Sequence, residues 1–202
     1  MKDPRSISSL RIATHRALGC LLALLACVAS VAADDGWKEF EGEGFHILMP
    51  GKPESKSSTT PTPVGSVVNH EHVVWLNDQT WKFEVDVSDL PHAAVMFLGP
   101  DAVYSNAKGG LLKRALGKAV SFADVRRDHH SGKELVYRTA PHGDLPGEVG
   151  KAQMFLIERR LLVFEARAPI SDKGASVERF FASISLSDEA ASSKARDSSH
   201  SW

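Results

Sequence analysis

KAQMFLIERRLLVFEARAP, residues Lys151–Pro169, decides the fold. Two apolar runs, Ala152–Ile157 and Leu161–Ala168, flank the charged trio Glu158-Arg159-Arg160. Strand-like runs separated by a short polar turn predict a β-hairpin. On the second run, Leu162, Phe164 and Ala166 share one face, while Leu161 and Val163 take the other. Apolar residues on both faces place a strand in the middle of a sheet covered on two sides. This hairpin is therefore expected at the sheet's centre.

Working outward to the amino terminus, Lys2, Arg5, Arg11 and Arg16 precede the apolar run Ala17–Val31. Small residues at Ala29-Ser30-Val31-Ala32-Ala33 follow, then the acidic Asp34-Asp35. A basic region, an apolar run and a small-residue cleavage site read as a secretory signal peptide over residues 1–33. An alternative is a lipobox at Leu24-Leu25-Ala26-Cys27, which would leave Cys27 lipid-modified; only then is a membrane partner expected. The expected localisation is periplasmic or secreted, with a lipoprotein anchored through Cys27 as the alternative.

The 202 residues suit one domain, read here as residues 34–187 followed by a polar, disordered tail over 188–202. At 43% hydrophobic and 24% charged, the chain can bury a core without staples. Loss of residues 1–33 removes four of the 24 basic and one of the 25 acidic side chains, leaving a net charge of about −4. No basic block remains, so no nucleic-acid partner is expected. Both cysteines, Cys20 and Cys27, lie in the signal region, so the mature part has no disulfide, thiol nucleophile or cysteine-bound metal.

Along the mature chain, Phe45–Met49 alternates apolar and polar, and Pro50-Gly51 marks a turn. Lys52–Gly65, rich in Ser, Thr and Pro, reads as an exposed loop or an edge strand. Ser66–Leu76 and Thr80–Val87 form a hairpin about Asn77-Asp78. In its second arm Trp81, Phe83, Val85 and Val87 oppose Lys82, Glu84, Asp86 and Ser88, the pattern of a half-buried strand. Pro91–Leu98 is expected to be irregular. A helix is expected from Pro100-Asp101 to Leu116, stopped by Gly117, with Val103, Ala107, Leu111 and Ala115 on one stripe. Val120–Arg127 and Glu134–Thr139 read as strands about a turn at Ser131-Gly132, and Pro141–Gly150 as a loop. Ser171 or Asp172 caps a last helix carrying Val177, Phe180, Phe181 and Ile184 at helical spacing. Strands dominate and connections are hairpin-length, which predicts an α+β fold with an antiparallel sheet flanked by helices.

These residues resemble a family. Trp37-x-x-Phe40…Phe45…Pro50-Gly51-x-Pro53, Gly132-Lys133-Glu134, Phe155-Leu156-Ile157…Arg160-Leu161-Leu162-Val163-Phe164 and Phe180-Phe181-x-Ser183-Ile184-x-Leu186 resemble bacterial PsbP-like and DcrB-like secreted domains. The likeness spans about residues 37–187. It implies an α/β/α sandwich around an antiparallel sheet and a mostly non-enzymatic binding or assembly role. It is carried by core residues and assigns no catalytic, cofactor-binding or metal-binding residue.

The candidate chemistry is sparse. His70 and His72 project to one face of a strand, about 7 Å apart at their bases, and can supply two metal ligands. A two- or four-residue turn puts both on the apolar face of Phe83 and Val85. A three-residue turn sets His72 against Asp86 and allows a cluster with Glu84. A partly exposed strand with two surface histidines is the plainer account. His129-His130 point opposite ways on a strand and cannot chelate together. His142-Gly143-Asp144 sits in a glycine-rich loop. Gly147-x-x-Gly150-Lys151 lacks a phosphate loop's spacing, its Ser/Thr and its following helix.

No nucleophile motif or metalloprotease signature is present. The expected function is a non-enzymatic envelope domain, acting as a single copy, that binds a protein partner or assists assembly. The alternatives are a small-molecule or metal binder, with His70, His72, Glu84 and Asp86 the first place to look, or an unrecognised hydrolase. No cofactor is assigned.

Overall fold

In the computed structural model, residues 36–77, 79–141, 147–170 and 174–187 are described. The expected signal segment 1–33, the tail 188–202, Asp78 of the hairpin turn, His142-Gly143-Asp144 and the Ser171 or Asp172 cap lie outside them.

Among the described residues the chain forms ten strands and two helices. β1 (Lys38–Gly42), β2 (Phe45–Met49), β3 (Glu54–Thr62), β4 (Gly65–Leu76) and β5 (Trp81–Asp89) precede α1 (His92–Ala115). β6 (Gly117–Arg127), β7 (His130–Thr139), β8 (Glu148–Ile157) and β9 (Arg160–Pro169) follow, then α2 (Ala175–Ala182) and β10 (Ser185–Leu186). Seven strands make one sheet in the order β3-β4-β5-β9-β8-β7-β6, and β1-β2-β10 make a second. Every pairing is antiparallel, giving an α+β fold.

The decisive hairpin is β8–β9. Ile157 pairs with Arg160, so Glu158-Arg159 alone make the turn. β9 lies fourth of seven, with β5 and β8 on either side. Leu162, Phe164 and Ala166 pack with Phe45, Ile47 and Met49 of the small sheet and with Phe180 and Phe181 of α2. Leu161 and Val163 pack on the opposite face, with Val103, Tyr104 and Leu111 of α1. Thus α1 covers one side, and the small sheet together with α2 covers the other. Each large apolar side chain buried in these layers contributes about 1.5–3 kcal/mol by leaving water.

Several boundaries differ from the sequence reading, each for a physical reason. Pro91–Leu98 is helical, not irregular: α1 starts at His92, and Gly99, at φ 72°, kinks it where Pro100 starts a new segment. The left-handed residue ending α1 is Leu116, at φ 50°, so Gly117 is free to open β6. The β6–β7 turn is Asp128-His129, not Ser131-Gly132, because Arg127 pairs with His130. Lys52–Gly65 contains a true edge strand, β3. Trp37–Gly42 contributes β1, and β10 adds to β2, neither of which periodicity revealed.

Candidate functional site

The β5 polar side is not the open face that alternation suggested. Glu84 is 1% exposed and Glu165 2%, and the two are directly paired across β5 and β9. Like charges directly opposed on a sheet repel, so they need compensation. Lys82 supplies it: its ammonium contacts Glu84 and lies 3.1 Å from Glu165. Tyr137 Oη donates to the other Glu165 oxygen. Arg114, in the last turn of α1, lies 3.3 Å from Glu84 and 3.0 Å from Asp86. Arg167 pairs with Glu148 at 3.1 Å. Buried charges persist only when paired in this way.

Local sequence explains how Tyr137 reaches that far. It pairs with Gly150 on β8, and a Cβ there would overlap the phenol ring. Gly117 flanks the ring from β6, where a Cβ would sit 2.7 Å from Tyr137 Cδ2. The two glycines form a cradle in which the ring lies flat across the sheet toward Glu165.

Electrostatics follow from this packing. Burial opposes the Arg114 charge, but Asp86, Glu165 and Glu71 together more than offset it and hold the guanidinium above its ordinary range. Burial, and then Glu165, push the Tyr137 phenol far upward, so it stays a donor. Burial also raises the Glu148 carboxyl, against the pull of Arg167.

Two openings lie on this face. A cavity of about 210 Å³ is bounded by Trp75, Lys82, Leu111, Arg114, Glu165 and Arg167. Lys82 and Arg167 stand 5.9 and 5.7 Å from the Trp75 ring. A larger groove of about 530 Å³ runs where α1 stops covering the sheet. Its floor is Lys56, Ser58, Asn69, Glu71, Asp86 and Ser88, and its wall is Ala107, Gly110, Lys113 and Arg114 of α1. Ser88 donates to Asn69 across this floor.

The histidine pair lies elsewhere. Leu76 pairs with Trp81, so a four-residue connection joins β4 to β5. His70 consequently faces Val87, and His72 faces Val85. Both sit on the small-sheet side, opposite Glu84 and Asp86, so the four residues do not converge. Ser57 and Ser55 of β3 bond the Nδ1 atoms of His70 and His72, each at 2.8 Å, and the Phe40 ring packs at a tilt, 4.8 Å from the His72 ring. Burial, then His70, lower the His72 pKa from its ordinary 6.5. His129 lies in the β6–β7 turn and His130 opens β7, with their rings 4.0 Å apart. Gly150-Lys151 lies within β8, where the glycine serves Tyr137.

Sequence reasoning placed Glu84 and Asp86 but missed Lys82, Arg114, Tyr137, Glu165 and Arg167 as members of one group. A signal was available. Glu165 interrupts the apolar run LLVFEARA in a strand covered on both faces, and a charge in such a place demands a partner.

No family model and no curated protein matches the chain. Among solved structures, the PsbP protein of the cyanobacterium Synechocystis (CyanoP) superposes with a TM-score of 0.50 at 14% identity, covering 78% of this chain and 96% of its own. A protein of Bacteroides thetaiotaomicron aligns at TM-score 0.40 and 11% identity, covering 77% of this chain and 50% of its own. A Pseudomonas aeruginosa protein of unknown function aligns at 0.32 and 10%, covering 67% and 85%. Topology and the CyanoP superposition together establish that the chain has a PsbP-like fold.

Proposed function

We propose that the folded part of this chain is a non-catalytic binding domain of the bacterial cell envelope, whose partner is a protein held along the groove beside α1. The observation that carries this reading is the groove itself. It is open, and it is lined by both signs of charge around an apolar base: Lys56, Lys113 and Arg114 against Glu71 and Asp86, over Leu161 and Val163. Such a surface suits the polar rim and charge complementarity of a protein interface better than an enclosed small-molecule site. The buried carboxylates behind it are engaged by Lys82, Arg114 and Tyr137, which suits a structural base for that surface. Export and an envelope location rest on the reading of residues 1–33. No described helix is long and apolar enough to cross a membrane.

The test is capture from an envelope extract with the wild-type protein and with Glu71→Lys and Lys56→Glu variants. A partner held by the wild type and lost by both charge reversals is expected. A captured set that both variants leave unchanged contradicts this reading. A second reading, a small-molecule binder, is favoured by the cavity over Lys82, Glu165 and Arg167 with its Trp75 wall. Binding there would be abolished by Trp75→Ala and untouched by the groove variants.

A further inference from the structure

β3 bounds the seven-stranded sheet: β4 pairs with it on one side, and among the described residues no strand pairs on the other. Its backbone polarity can be assigned. Thr62 pairs with Gly65 across the two-residue turn Pro63-Val64, so this closing pair exchanges the inward hydrogen bonds. Pairs then alternate, and Ser55, Ser57, Thr59 and Pro61 turn their backbone groups away from β4. Pro61, which has no N–H, falls in the outward set, as edge geometry requires. The close Ser55–His72 and Ser57–His70 side-chain bonds also fit pairs that do not share backbone hydrogen bonds.

An open edge of this kind is normally protected by charge, bulges or brevity. The opposite margin, β6, has a register shift between Ala119 and Ser121 and several charged residues. By contrast, β3 runs nine residues without a shift and is exposed along nearly its whole length; its guards are one interior charge, Lys56, and one proline, Pro61, near its end.

We propose that β3 is the interface of a homodimer, in which two copies pair β3 against β3, antiparallel, about a twofold axis at Ser57. The occupant must be an extended strand, because only a polypeptide matches alternating backbone donors and acceptors. The sequence favours a second copy. About Ser57, each outward amide and carbonyl of Ser55, Ser57 and Thr59 meets a partner. Glu54 then faces Thr60 and Lys56 faces Ser58, so no like charges oppose, and the Ser–Thr pairs formed are favourable. Shifting the axis to Lys56 would set the two lysines against each other. Shifting it to Ser58 would leave Ser55 opposite Pro61, which has no donor. The twofold contact closes on itself at two copies, whereas β3 against β6 would build a ring or an open filament. Dimerisation replaces the single-copy state expected from sequence and makes the two grooves contiguous, since Lys56 and Ser58 belong to both margin and groove.

The experiment is mass measurement by light scattering and sedimentation equilibrium over rising concentration, on the protein as recovered from its expressing cells. A mass of two chains that falls to one on dilution is expected. Thr59→Pro removes an outward N–H and should abolish the dimer, whereas Thr59→Ala should retain it. Should Thr59→Pro fail to fold, Ser57→Asp decides: it sets like charges across the axis and should weaken the dimer about tenfold or more, with the melting of the dilute single chain unchanged. A single-chain mass at every concentration, or a dimer that the folded variants leave intact, overturns the proposal.

Discussion

Gly150 and Tyr137 show how one residue sets another's chemistry. The glycine's missing Cβ is the space in which the Tyr137 ring lies, and the ring carries its hydroxyl to Glu165. Gly150→Ala should therefore cost about 1–3 kcal/mol, the usual penalty for overpacking. Urea unfolding would measure it, with Gly109→Ala, where nothing lies within 4 Å and the backbone is helical, as the contrast. Lys82 is the sharper case. Lys82→Met removes the cation shared by two buried carboxylates and should cost about 3–5 kcal/mol. His72 gives a pH signature. Its folded pKa lies below the ordinary 6.5, so the unfolded chain binds the proton more readily. The His72 contribution is present above about pH 6.5 and is lost as pH falls through the lowered folded value. Glu148, with its raised pKa, works in the opposite direction at lower pH. Comparing unfolding midpoints from pH 7 down to about 5 in wild type and His72→Asn isolates the histidine: the variant should lose the steeper part of the decline.

At the scale of elements, α1 carries an unexplained expense. Gly109 and Gly110 have helical geometry and nothing within 4 Å of where a Cβ would be. Each costs about 1 kcal/mol relative to alanine. Gly110→Ala should therefore stabilise the isolated protein by that amount. Because Gly110 lines the groove, the same change should weaken partner capture if the groove is the contact surface. What sequence could reveal also sorts by element. The β8–β9 hairpin and α2 were legible because their apolar pattern is strong and repeated: Leu162, Phe164 and Ala166 on one face, Val177, Phe180 and Phe181 on one helical stripe, although α2 ends at Ala182 and leaves Ile184 beyond it. The start of α1 was missed because Met96, Phe97 and Leu98 are 52–84% exposed and follow no amphipathic period. Two-residue β10 is too short to carry any pattern. The ionic group was missed for a different reason: Glu84, Glu165, Tyr137 and Arg114 meet only through strand register and helix placement, which local periodicity does not encode.

Across the whole molecule, the cover on the large sheet is unequal. Both sides of β9 and β8 are closed, while α1 leaves the β3–β5 half of one face open as a groove and β3 as a margin. That inequality is what offers this PsbP-like fold the surface on which the proposed partner would lie. It is tested most directly by native-state hydrogen–deuterium exchange, residue by residue, at low protein concentration. The account predicts that the amides of Phe155, Leu162 and Phe164 exchange only through global unfolding. Those of Ser55, Ser57 and Thr59 should exchange fastest within the large sheet. Comparable protection of the two sets, or rapid exchange at Phe164, would contradict it.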